Sequence, residues 1–252
     1  MKITKFKNLT LNLLFPPRCM VCGGRIDVAE DILSLNCICD KCRTNYEMGF
    51  YAVCGECNRS VSSCVCGAKI GKREISPIAK CFYYKPDQEK GTHNKIIYSL
   101  KHRDDKRFSR YLARELARSV KSMLEKEGID PASCIFTFVP RRQEAINKDG
   151  FDQGERLARY TARELGVRGG FKSLIVRRGG NEQKKLNVIQ RQRNLEDSLR
   201  LKGRVRLSGK TVCVIDDVVT SGATMLSAEN LLISGGADRV VFACVARSIL
   251  DK

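Results

Sequence analysis

Short unalternating apolar runs in this chain are separated by longer segments of helical period, and that alternation predicts its architecture. Val212 to Ile215 is four apolar or β-branched residues in a row between Lys210 and a pair of acids. Such a run is too short for a surface helix and reads as a strand buried on both faces. Ala79 to Tyr84, Cys134 to Val139, Phe171 to Val176 and Arg239 to Ala246 read as further strands. Between them, a helix from about Phe108 to Lys126 carries Tyr111, Leu112, Leu116, Val120, Met123 and Leu124 on one face and closes at Gly128. Gly154 to Leu165 and Met225 to Ser234 read as two more helices. Strands alternating with helices predict an α/β domain, a parallel sheet with helices on both faces.

Phe6, Leu9, Leu13 and Leu14 recur at helical spacing with lysines opposite, so residues 1–15 predict a short amphipathic docking helix stopped by Pro16-Pro17. Asn8, Thr10 and Asn12 interrupt its apolar run, which excludes a secretory signal. No window reaches 18 apolar residues, so no membrane span is expected.

Cysteine changes the picture of the first quarter. Nine of the 13 cysteines fall between Cys19 and Cys66, eight of them in closely spaced pairs. Cys19-x2-Cys22 and Cys39-x2-Cys42, sixteen residues apart, have the spacing of a four-cysteine zinc ribbon, and Gly23-Gly24 permits the tight turn of its knuckle. Cys54-x2-Cys57 and Cys64-x-Cys66 form a second set with a shorter last spacing. Cys37 leaves a ligand choice open, since Cys37-x-Cys39 offers an alternate donor. Closed four-thiolate sites are structural, so one or two structural Zn ions are expected, in a reducing cytoplasm. The expected organisation is residues 1–67 as helix and double ribbon, 68–78 as a polar linker, and 79–252 as the α/β domain.

The formal net charge is +18, with 46 Lys+Arg against 28 Asp+Glu, which favours anionic partners, either nucleic acid or phosphorylated small molecules. The segment Arg177 to Lys210 alone holds eleven Lys or Arg against three Asp or Glu, and Gly179-Gly180 opens it, so it reads as a charged flap. With no Trp and no evident row of aromatics, no base-stacking platform is visible.

The candidate site follows the Val212 strand. Asp216 and Asp217 at a strand's carboxyl end face opposite ways, so at least one leans into the crevice where open α/β sheets bind ligands. Thr220, Ser221, Gly222, Ala223 and Thr224 then supply backbone N–H groups and hydroxyls ahead of a helix N-terminus, a place for a phosphate. No G-x-x-x-x-G-K-[ST] and no G-x-G-x-x-G after a strand occurs, so neither a P-loop nor a dinucleotide site is indicated. The four cysteines in strand patterns, Cys81, Cys134, Cys213 and Cys244, read as core residues. His93 and His102, the only histidines, read as surface residues rather than as bases.

The strand, acid pair and Thr/Ser/Gly loop resemble the phosphoribosyl pyrophosphate (PRPP) motif of type I phosphoribosyltransferases. That resemblance implies that Asp216 and Asp217, with Val218 behind them, hold the ribose hydroxyls and, indirectly, Mg²⁺, and that Thr220 to Thr224 wrap the 5′-phosphate. Over nearly its whole length the chain further resembles the ComF family, which joins a double zinc ribbon to a phosphoribosyltransferase domain. The matching elements are Pro16 to Cys19, Leu100-Lys101, Val139-Pro140, Gly150-Phe151-x-Gln153, Gln183-x2-Leu186, Arg191-x2-Asn194, the acid-pair loop and Ala246-Arg247. The family pattern Arg-Gly-Phe-Asn-Gln is replaced here by Asp149-Gly150-Phe151-Asp152-Gln153. The resemblance implies that Lys101, Arg141 or Arg142, and flap residues Lys184, Lys185 and Arg191 meet the pyrophosphate. It also implies a role in DNA uptake during transformation with a helicase partner. A non-catalytic protein that senses PRPP and binds single-stranded DNA is the alternative.

Overall fold

Four parallel strands carry the fold. The computed structural model describes residues 17–26, 37–70, 73–75, 77–85, 91–167, 169–177, 199–203 and 205–248. The strands are β3 (Ile78–Tyr84), β4 (Cys134–Phe138), β7 (Thr211–Val219) and β8 (Arg239–Ser248), in the order β3-β8-β7-β4. Cys213 sits beside Phe136 on one side and Val241 on the other, so the central strand is paired on both edges. Its residues alternate between two cores. Cys213 and Ile215 join Val241 and Ala243 in one layer, whereas Val212 and Val214 join Val240 and Phe242 in the other. Both faces are therefore apolar, which is why the run does not alternate in sequence.

The helices divide between those faces. Helix α1 spans Asp40–Phe50, α2 Thr92–His102, α3 Lys106–Lys126, α4 Gln143–Asp149, α5 Gln153–Glu164 and α6 Ala223–Ser234. Leu112 and Leu116 of α3 and Leu157 and Ala158 of α5 close the first layer, while Met225, Ala228 and Leu232 of α6 close the second. Fully burying each of these larger side chains is worth about 1.5–3 kcal/mol, so the layers rather than helix propensity hold the domain together. Helix α3 starts where Asp105 caps it, accepting from the amides of Arg107 (2.7 Å) and Phe108 (3.1 Å).

Three sequence expectations are revised. β7 does not end at the acid pair but runs through it to Val219, with Asp216 beside Cys244 and Val218 beside Ala246. The stretch expected as strand at Phe171 to Val176 is split. Phe171 bridges Phe136 in parallel, and only Ile175–Arg177 (β5) forms a strand, antiparallel to Leu199–Leu201 (β6). This hairpin is the stem of the charged segment, whose residues 178–198, with Lys184, Lys185 and Arg191, lie outside the described residues. Within the expected linker, Ala68–Ile70 (β1) and Arg73–Ile75 (β2) pair as an antiparallel hairpin. The predicted N-terminal helix also lies outside the described residues.

The cysteine-rich segment packs onto the α/β domain. Cys19, Val21, Ile38, Tyr46 and Phe50 share the first core layer with Phe82, Ile96 and Leu100, and the Tyr46 ring meets the Phe82 ring edge-on at 5.9 Å. None of the helices among the described residues is long and apolar enough to cross a membrane.

Candidate functional site

Asp216 and Asp217 stand in different surroundings although adjacent. Asp217 is 5% exposed and collects donors: Gln153 Nε2 at 3.0 Å, its own strand's Val218 amide at 2.8 Å, and the Lys101 ammonium at 3.4 Å. Asp216 receives the Asp217 amide at 2.8 Å. Burial first, and the neighbouring Asp217 charge second, push the Asp216 carboxyl well above the usual carboxylate range. Asp217, by contrast, is held by Lys101 and Gln153.

Helix α2 brings in Lys101 from its last turn, and α5 brings Gln153 from its first. Asp152 fixes the start of α5. One of its oxygens accepts from the Gly154 (2.8 Å) and Glu155 (3.2 Å) amides, and the other accepts from the Arg141 amide at 2.9 Å. A Cβ on Gly154 would lie 3.2 Å from Asp152 Oδ1 and 3.5 Å from the Val139 carbonyl, so a small residue is needed where α5 meets the end of β4.

The loop after β7 leads straight into helix α6. Thr220 and Ser221 are exposed, Gly222 takes φ +86°, and helix α6 begins at Ala223 with no acidic residue in its first turn, the Ala223 amide donating to Ser221 Oγ at 3.4 Å. Thr224 lies in that first turn. Gly is needed at 222 because an L side chain rarely adopts that φ, and the open helix end favours an anion.

The two arginines after β4 separate. Arg142 is exposed, but Arg141 is engaged: its guanidinium donates to Asp149 Oδ2 at 2.7 Å and to the carbonyls of Lys101 and Phe151, each at 3.4 Å. Asp149 also lies 3.3 Å from His102 Nδ1, and hydrogen bonding from Arg141 holds its carboxyl below the usual range. The position where the family pattern has an arginine thus carries the anion that ties Arg141 down. His102 is exposed, as expected, but His93 is not a free surface residue. It stacks on Phe82 with centroids 4.4 Å apart, and burial lowers its pKa.

Two groups of thiolates are assembled. The sulfurs of Cys19, Cys22, Cys39 and Cys42 lie within 4.8 Å of one another, as do those of Cys54, Cys57, Cys64 and Cys66. Cys22 Sγ is 3.7 Å from Cys39 Sγ, against the edge of about 3.8 Å for a tetrahedron with Zn–S near 2.3 Å. Amides of Val21, Gly24 and Cys66 point at ligand sulfurs at 3.3–3.4 Å, as in metal knuckles. Cys37 belongs to neither group, and burial, then the Asp105 charge, pushes its thiol up to about 11. In the second group burial raises the Cys54 thiol, but hydrogen bonds from Tyr83 and from the Glu56 and Cys57 amides outweigh it and hold it down at about 6. Both donor sets fit a structural zinc ion.

The first knuckle also reaches the acid pair. The Met20 carbonyl accepts from Ser99 Oγ at 2.6 Å and from Arg103 at 3.1 Å, clamping the α2 turn that presents Lys101. Sequence reasoning missed this contact, the role of Gln153, and Arg177, which is half-buried and donates to the Pro140 carbonyl at 2.9 Å.

Comparison with known proteins agrees with the geometry. Residues 152–251 match the model of the phosphoribosyl transferase domain. The matched stretch includes the acid pair and the loop after it. It is 25% identical over 231 residues to "DNA utilization protein YhgH" of Salmonella typhi, covering 86% of this chain and 100% of that protein. A shorter stretch of 69 residues is 39% identical to "Ribose-phosphate pyrophosphokinase" of Prochlorococcus marinus subsp. pastoris, covering 26% of this chain and 20% of that enzyme. Among solved structures, a hypoxanthine phosphoribosyltransferase from Trypanosoma cruzi aligns with TM-score 0.33 and 11% identity over 55% of this chain and 65% of that one.

Proposed function

We propose that this ComF-type domain binds PRPP with Mg²⁺ and transfers its phosphoribosyl group to an acceptor. The observation that carries the reading is the juxtaposition of the adjacent carboxyl groups of Asp216 and Asp217 with the start of helix α6 behind Gly222. The 5′-phosphate sits on Thr220 to Thr224, and the ribose diol and the Mg²⁺ shell meet Asp216 and Asp217. As the bond from ribose C1 to pyrophosphate stretches, the transition state gains oxocarbenium character and negative charge collects on the leaving group. Lys101 and the exposed Arg142 supply fixed positive charge there, joined by Lys184, Lys185 and Arg191. Arg141 shapes the loop through Asp149. Metal, when bound, neutralises the pyrophosphate.

A second reading is favoured by the +18 charge and by relatives named for DNA utilization. In it the pocket senses PRPP while the protein handles single-stranded DNA during uptake, beside a helicase. Calorimetric titration of the zinc-loaded chain with PRPP and Mg²⁺ tests the common part. Binding in the micromolar range, about −8 kcal/mol at 1 μM, is expected for the parent and is expected to vanish in the Asp216→Asn, Asp217→Asn double variant. No binding by the parent refutes the site. Oligonucleotide retention that falls steeply with salt separates the second reading from the first.

A further inference from the structure

Lys80 lies in the middle of β3 and is 0% exposed. Its ammonium donates three hydrogen bonds, to the carbonyls of Ile78 (3.0 Å), Cys64 (3.2 Å) and Cys66 (3.0 Å). No carboxylate pairs with it among the described residues. Three neutral carbonyls satisfy its donors but leave a full charge in the interior, and an isolated buried ammonium is among the costliest groups a core can hold. Something nearby has to carry the opposite charge.

Two of the three carbonyls belong to residues of the second cysteine group, which points to the source. Four thiolates around one divalent cation carry a net charge of about −2. Other groups from the same two strands converge on this centre. The Tyr83 hydroxyl lies 3.4 Å from Cys54 Sγ and 3.9 Å from Cys64 Sγ. Arg247, at the end of β8, donates to the Cys66 carbonyl at 3.4 Å and lies 3.6 Å from Glu56. Lys80 and Arg247 both stand against the Tyr83 ring, at 5.6 and 5.7 Å from its centroid. Among the described residues the first cysteine group has no buried cation of this kind: its outer contacts there are backbone amides and the Met20 carbonyl.

We propose that Lys80 is the internal counter-cation of the metal–thiolate centre at Cys54, Cys57, Cys64 and Cys66, so that this centre and strand β3 depend on each other for charge balance. The thiolates that the ion holds deprotonated offset the desolvation of Lys80, and Lys80 with Arg247 offsets their excess negative charge. The second centre is then a built-in part of the sheet and not a separable ribbon.

Lys80→Met and Lys80→Arg, made in the full zinc-loaded chain, test this through the chelator concentration needed to draw off each ion. Counter-charge predicts that Met keeps the packing but lets the second ion go at a chelator concentration at least tenfold lower, that Arg holds it closer to the parent, and that the Cys19 centre releases its ion unchanged. If Met retains both ions as the parent does, the proposal is overturned, because shape alone then suffices. Should Lys80→Met fail to fold, amine labelling of Lys80 in a Cys57→Ser, Cys66→Ser chain decides. Labelling is expected to rise severalfold over the parent, and a Lys80 that stays unlabelled while the melting transition matches the parent overturns the proposal.

Discussion

Asp216→Asn should stabilise this protein at neutral pH while removing its ligand binding. The Asp216 carboxyl has the Asp217 amide as its hydrogen-bond donor, and Asp217 takes Lys101, Gln153 and the Val218 amide. Burial and the Asp217 charge favour the neutral form of Asp216 in the folded chain. Once unfolded, the same carboxyl ionises near its ordinary value of about 3.9. Unfolding therefore releases a proton, and the parent loses stability as pH climbs from about 4 toward the raised folded value. Asparagine keeps the shape without that loss. The penalty for a poorly compensated buried polar group, about 1–3 kcal/mol, bounds the gain, and a net of about 1–2 kcal/mol is expected at pH 7.5. For a chain of this size 1 kcal/mol moves the melting temperature by about 2–4 °C. Calorimetric melts of parent and variant, without PRPP or Mg²⁺, should show the variant higher by about 2–8 °C at pH 7.5 and the gap closing toward pH 4.5. A variant that melts below the parent at pH 7.5, or a gap that does not change with pH, would refute the reasoning. Saturating PRPP and Mg²⁺ at about a hundredfold over Kd should then stabilise the parent by about 2.7 kcal/mol and leave the variant unmoved.

Gln153→Leu removes one buried donor from Asp217 and should destabilise by about 1–3 kcal/mol in chemical denaturation at pH 7.5, with weaker binding of PRPP and Mg²⁺; unchanged stability would mean that Lys101 and the Val218 amide suffice. Asp149→Asn frees Arg141 from its closest anion and should tighten binding of inorganic pyrophosphate in titration, whereas equal binding would show that Arg141 does not face the ligand. Ser99→Ala loses the 2.6 Å bond to the Met20 carbonyl and should cost about 0.5–1.5 kcal/mol, with faster chelator release of the Cys19 ion than of the Cys54 ion. Elemental analysis should find two zinc ions per chain; one would remove either cysteine group as a metal centre.

What could be read in advance followed local periodicity. The run Val212 to Ile215 announced a strand apolar on both faces because side chains alternate between two cores. The apolar stripe of Phe108 to Lys126 gave α3 to within two residues of its start, and Asp105 as its cap settled where it begins. Cysteine spacing separated the two thiolate groups because a knuckle is a local turn, although the place of Cys37 needed the fold. The acid pair and its loop were visible for the same reason: strand, acids, loop glycine and helix follow one another within fourteen residues.

Elements that depend on distant partners were not visible. β7 continues past Asp217 because β8 offers Cys244 to Arg247 as a partner, and no local pattern announces an edge supplied from thirty residues away. The hairpin at Ala68–Ile70 and Arg73–Ile75 looked like a polar linker because the core that buries Ala68 and Ile75, with Ile135 and Val214 in it, comes from distant parts of the chain. Arg141 looked like a free cation until the fold brought Asp149 to it.

The sequence by itself determined the class of fold, the cysteine groups and the position of the acid pair and its loop, since each is written in neighbouring residues. Only the tertiary structure decided how those parts meet: that Asp217 collects Lys101 and Gln153, that Met20 clamps the helix behind Lys101, and that a lysine in an apolar strand reaches the second cysteine group. These contacts join residues 14 to 116 positions apart, and what fixes them is the cost of leaving buried polar and charged groups unpaired, which exists only once the chain has closed around them.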